Sequence, residues 1–182
     1  MHILAISGSL RAGSTNTSLL RAAAELAPAT VTISLYDGLD DIPAFSPERD
    51  KENETASIHK LRKLLQEADA VLFCTPEYIH GMPGILKNML DWLASSGEFV
   101  DKPVGVISAG PSDTGGSRAH ASLSYTLEIL TAQLPEKASL IVPFVKTKLD
   151  ANGHLIDPTL IQQLKDVIDA LIQAVQSKEQ PA

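Results

Sequence analysis

Apolar residues along this chain fall into short, nearly unbroken runs, separated by longer stretches where they recur every third or fourth position. The runs at 2–7, 31–36, 70–75, 103–109 and 139–144 read as five strands. Several are apolar at nearly every position, which suits strands covered on both faces. Between them Ile58, Leu61, Leu65 and Ala68 keep helical spacing, as do Leu123, Leu127, Leu130 and Leu134 and, later, Leu160, Leu164, Ile168, Leu171 and Val175. Segments 16–27 and 83–95 complete five helices. Strict alternation with crossovers of this length predicts an α/β fold, a parallel sheet with helices on both sides. Five strands suit the doubly wound order 2-1-3-4-5. Residues 37–53, rich in Asp, Pro and Glu, read as a surface loop, and 177–182 as a frayed tail. Asn152-Gly153 marks a turn, because both residues tolerate positive φ. No repeat or linker divides the chain, so one domain over 1–182 is expected.

Composition narrows the function. With 182 residues, 44% hydrophobic and 20% charged, the chain has the makeup of a globular protein that buries roughly 70% of its unfolded surface. The net charge of −7, without a run of Lys or Arg, argues against nucleic acid or an anionic membrane as partner. No apolar stretch approaches the roughly 18 residues of a membrane helix, and the start lacks a basic leader. The one cysteine, Cys74, excludes an internal disulfide and fits a reducing compartment. Cytoplasmic placement is expected. Histidines and cysteine show no metal-ligand spacing, so no metal is expected.

Two segments, each directly after a strand-like run, carry the chemistry. The first is Gly8-Ser9-Leu10-Arg11-Ala12-Gly13-Ser14-Thr15-Asn16-Thr17. Its glycines allow close approach of backbone amides, its hydroxyls donate, and Arg11 offers a fork suited to phosphate oxygens. The helix that follows adds unpaired amides and a positive end, with Asn16 read as its cap or as a tie across the loop. Ser14 stands where a Walker A loop has lysine, and no Gly-x-Gly-x-x-Gly pattern is present. A terminal monophosphate therefore fits better than a di- or triphosphate. The second segment is Thr75-Pro76-Glu77-Tyr78-Ile79-His80-Gly81-Met82-Pro83-Gly84. Pro76 stops its strand, the glycines keep the loop thin, and its amides can face the polar edge of a flat ring. A mononucleotide site results, and FMN fits it best. Cys74, at a strand end, reads as core; no Arg follows at the spacing of a Cys-x5-Arg phosphatase loop. Glu77 reads as a surface carboxylate or a local hydrogen-bond partner.

Gly-Ser-Leu-Arg-x-Gly-Ser-x-Asn followed by Thr-Pro-Glu-Tyr and Pro-Gly-Ile-Leu-Lys-Asn-Met-Leu-Asp-Trp resembles the NADPH-dependent FMN reductase family, flavodoxin-like enzymes that include quinone, azo and chromate reductases. Gly115-Gly116-Ser117-Arg118-Ala119 extends the match to a third loop. The resemblance implies a flavodoxin-like fold and bound FMN, with NADPH or NADH as hydride donor and a small-molecule electron acceptor. It implies that Ser9, Arg11, Ser14, Asn16 and Thr17 hold the phosphate. Pro76, Glu77, Tyr78 and Ile79 would run along the ring, and Ser108, Gly110 and Gly115 would flank it. Arg118 and Arg11 are candidate partners for the dinucleotide's phosphates. The family often has Asn where Ile79 stands, and Gln where His120 stands. Hydride transfer needs no protein acid or base, so no essential catalytic residue is named. The resemblance also implies a homo-oligomer, dimer or tetramer, built around the 83–95 helix, whose apolar residues occupy more than one face. Two other readings are a flavodoxin-type electron carrier, which usually covers its ring with aromatics, and a non-catalytic FMN-binding module. Only 4% of this chain is aromatic.

Overall fold

Strands His2–Ser7 (β1), Thr32–Leu35 (β2), Ala70–Thr75 (β3), Val104–Ala109 (β4) and Ser139–Val142 (β5) form one parallel sheet in the order β2-β1-β3-β4-β5. This is the computed structural model of the chain, and it describes residues 1–52 and 55–179. The expected strand order and the flavodoxin-like layering are both present. The two edge strands are shorter than the apolar runs suggested. β5 stops at Val142 because Pro143 has no N–H to give the ladder and Phe144 turns left-handed at φ +50°.

Helices α1 (Thr15–Leu26) and α6 (Pro158–Glu179) cover one face of the sheet; α3 (Ala56–Glu67), α4 (Gly84–Asp91) and α5 (Ser117–Ile129) cover the other. Successive strand residues point to opposite faces. Ile3, Ala5, Leu72, Cys74 and Ile107 therefore pack under α1 and α6, and Leu4, Ile6, Val71, Phe73 and Val106 pack under the other three. Two buried faces explain why β1, β3 and β4 are apolar almost throughout.

The 37–53 stretch departs from the expected surface loop. It holds a 3-10 turn at Leu39–Asp41 and a short helix, α2, at Pro47–Glu52, while Leu39 and Ile42 are buried. Asn53 lies outside the described residues. Phe45 meets Trp92 edge-to-face at 5.3 Å between ring centres, and the Trp92 indole donates to Pro43 O at 2.9 Å. Leu86, Met89, Leu90, Trp92 and Leu93 are all buried within one chain, since the 39–45 segment covers the helix's second apolar side. The helix is also shorter, with Pro83 just outside it and Trp92 at its end. At the carboxyl terminus, 177–179 continue α6 rather than fray; 180–182 lie outside the described residues.

The order reverses between β1 and β3. The loop after β1 leads to α1 on one face, and the loop after β3 leads to α4 on the other. Their divergence opens a crevice at the carboxyl ends of the strands, where ligands of such sheets bind.

Candidate active site

A cavity of about 390 Å³ occupies that crevice. The loop after β1 supplies Ser9, Arg11, Gly13, Ser14, Thr15 and Asn16; the loop after β3 supplies Pro76, Glu77 and Tyr78. Residues after β4 and β5 close the remaining wall: Gly110, Pro111, Ser112, Thr114 and Gly116, with Val145 and Lys146. A larger hollow of about 590 Å³ lies at the amino end of β5 against α6, away from every strand's carboxyl end.

The β1 loop is built as a donor surface. Ser14, not Asn16, caps α1: its hydroxyl accepts from Thr17 N at 3.3 Å. The amides of Thr15 and Asn16 have no acceptor among the described residues. No acidic residue sits in the first turn of α1, so its positive end is free for an anion. Asn16 instead turns inward and is only 4% exposed. Its Oδ1 accepts from Cys74 Sγ at 3.3 Å, and its Nδ2 has no acceptor among the described residues. Gly8 serves close packing: a Cβ there would lie 2.8 Å from Thr75 Oγ1. Gly13 lies in the turn that Ser14 N closes on Arg11 O at 3.1 Å, but its φ is not positive and a Cβ there would meet nothing within 4 Å, so that turn does not itself require glycine.

The end of α5 is arranged the opposite way. Gly116, left-handed at φ +82°, stands at its N-cap and has no side chain to offer. Glu77 reaches over from the β3 loop and fills that role, its Oε2 accepting from Arg118 N at 2.9 Å and Ala119 N at 3.2 Å. Burial pushes the Glu77 carboxyl up, but the Ala119, His80 and Arg118 hydrogen bonds outweigh it and hold its pKa below the usual carboxylate value. Glu77 is thus a strut between the β3 and β4 loops, and it removes the α5 terminus as a competing anion site.

Tyr78 and Gly81 exchange backbone hydrogen bonds of 3.0 and 3.1 Å around Ile79 and His80, whose φ values are +49° and +59°. Turns with two positive-φ centres favour Asn and Gly. A β-branched residue there costs about 1–2 kcal/mol, and Ile79, 99% exposed, gains no packing in return. Ile79 is not on the cavity wall. Neither is Thr17, which donates to Ser7 Oγ at 2.9 Å behind the loop. Ser108 is buried and donates to Gly115 O at 2.9 Å. Gly115 packs so tightly on the end of β5 that a Cβ would lie 2.7 Å from Pro143 N. Both support the third loop from behind. Sequence reasoning missed Lys146, on a 3-10 turn after β5; only the fold brings it to this wall. Among the described residues, no group of three or more His, Cys, Asp or Glu could hold a metal, and no helix is long and apolar enough to cross a membrane.

The sequence profile of the NADPH-dependent FMN reductase family matches residues 1–147. An NAD(P)H-dependent FMN reductase of Pseudomonas aeruginosa is 33% identical over 97% of this chain and 94% of its own length. A quinone reductase of Escherichia coli is 28% identical over 97% of this chain and 96% of its own. Among solved structures, the flavoenzyme NAD(P)H:acceptor oxidoreductase FerB from Paracoccus denitrificans superposes with a TM-score of 0.86 at 25% identity, covering 97% of each chain. The chain belongs to the NADPH-dependent FMN reductase family.

Proposed function

We propose that this protein is an FMN-dependent oxidoreductase that takes a hydride from NADPH or NADH and hands the electrons to a small acceptor, such as a quinone, a flavin, an azo compound or a metal oxyanion. The observation that carries this reading is the pair of helix ends at the cavity. The α5 end is neutralised by Glu77, while the α1 end keeps free amides, Arg11 and the unpartnered Asn16 amide on the cavity wall. That donor set fits a terminal phosphate dianion.

FMN, when bound, supplies the redox chemistry, accepting hydride and passing electrons on. The residues assigned to its phosphate are Ser9, Arg11, Ser14 and Asn16, with Thr17 bracing the loop through Ser7. Pro76, Glu77 and Tyr78 form the wall assigned to the ring, and Gly110 faces them. Ile79, Ser108 and Gly115 shape the loops without lining the cavity. Binding fixes the reacting partners against each other, which lowers the entropic part of the barrier. Tyr78 is the single aromatic on the cavity wall among the described residues. That supports an uncovered ring face, open to a nicotinamide, over the aromatic sandwich of an electron carrier. We further propose one FMN-binding domain acting in the cytoplasm as a homo-oligomer, supported by the buried Cys74 without a disulfide partner in the chain and by Tyr78 and Ile79 exposed at the rim.

The test is turnover by the purified FMN-loaded protein alone. Sustained oxidation of NADPH or NADH with a simple quinone is expected. A strict requirement for a separate reductase protein would support the carrier reading instead.

A further inference from the structure

Cys74, beneath the cavity wall, is a chemistry-bearing side chain with no part in the reading above. Strand alternation puts it on the α1 face of β3, fully buried, directly beneath the first turn of α1. Its only polar partner among the described residues is Asn16 Oδ1, 58 residues away in sequence and 3.3 Å away in space. Asn16 is itself 4% exposed and lines the cavity, with Nδ2 unpartnered. A carboxamide has two ends of opposite hydrogen-bonding sense, and one of them must face the ligand. An anion needs the donor end; a flipped amide would present oxygen lone pairs to it.

We propose that Cys74 is a positioning residue: its S–H, donated to Asn16 Oδ1, fixes the carboxamide so that Nδ2 is the end presented to an anionic group in the cavity. This rests on the reading that the cavity holds FMN. Burial pushes the thiol pKa up, so the sulfur keeps its proton and stays a donor at neutral pH. The reverse bond, amide N–H to sulfur, is the poorer one because a thiol sulfur is a weak acceptor. A buried, protonated thiol is also a poor nucleophile, which separates this role from redox chemistry.

Apoprotein titrated with FMN, followed by flavin fluorescence, reads the effect without turnover. Cys74→Val, which fills the space but cannot donate, is expected to weaken FMN binding about three- to ten-fold, the scale of one neutral hydrogen bond. Cys74→Ser keeps a donor and is expected to stay within about two-fold of wild type. In an Asn16→Ala background, Cys74→Val is expected to have no further effect. Wild-type affinity in folded Cys74→Val, or equal losses in the Val and Ser variants, would overturn the positioning role while leaving the FMN reading intact. Failure of the folded wild type to bind FMN would overturn both. A direct readout covers the case in which Cys74→Val does not fold. The chain has one cysteine, so its infrared S–H stretch reports Cys74 alone. It is expected below the free-thiol frequency in wild type and shifted back in Asn16→Ala. An unshifted band in wild type would refute the bond.

Discussion

Arg11→Ala is expected to weaken FMN binding by about 1.5–3 kcal/mol, roughly ten- to 150-fold, the range for a hydrogen bond to a charged group. Arg11 lines the cavity and is exposed, and no acid pairs with it among the described residues. Its removal therefore costs the protein little stability and the ligand most of a charged contact. Arg11→Lys keeps the charge but loses the planar fork, so its loss should be intermediate. Titration of each apoprotein with FMN, beside thermal melts, separates the two effects. Unchanged affinity in Arg11→Ala would remove this residue from the phosphate assignment.

Gly115→Ala is the largest expected effect on stability. Gly115 sits at φ +57°, and a Cβ there would lie 2.7 Å from Pro143 N, 2.8 Å from Ile141 Cγ2 and 2.8 Å from Val142 C. Two of those atoms are backbone and cannot swing away. A left-handed conformation costs an L-residue about 1–2 kcal/mol, and overpacking costs about 1–3 kcal/mol more. A total near 3 kcal/mol corresponds to a melting temperature lower by about 6–12 °C for a chain of this size. Gly13→Ala is the matched control. With open space around it and no positive φ, it should leave the melt unchanged or raise it slightly. Equal melts for the two variants would contradict the packing described for the third loop.

The sheet was legible because its central strands are buried on both faces. An unbroken apolar run such as 70–75 has few alternatives between two helical segments. Strand ends were less so: Val142 ends β5 because of Pro143, a boundary the apolar pattern runs past. The 37–53 stretch looked like solvent-facing loop because Asp, Pro and Glu dominate it. Its few apolar residues, Leu39, Ile42 and Phe45, seal α4, and three side chains spread over seven positions carry no period. At the site, the loops were legible since glycine, hydroxyl and arginine placement is local chemistry. The pairings were not. Gly13-Ser14-Thr15-Asn16 offers several capping-competent residues in a row, and only the fold shows that Ser14 caps while Asn16 turns inward to Cys74. Glu77 capping α5 spans 41 residues, and Lys146 reaches the cavity from beyond β5. Such contacts are set by tertiary structure, so no sequence window contains them.

The central claim is that the α1 terminus and the β1 loop grip a terminal phosphate. Comparing FMN with riboflavin, which has the same ring and ribityl chain but no phosphate, tests it most directly. Folded apoprotein is expected to bind FMN at one per chain and at least about a hundred-fold more tightly than riboflavin, as two or more charged hydrogen bonds would give. Equal affinity for the two flavins, or no affinity for either, would contradict it.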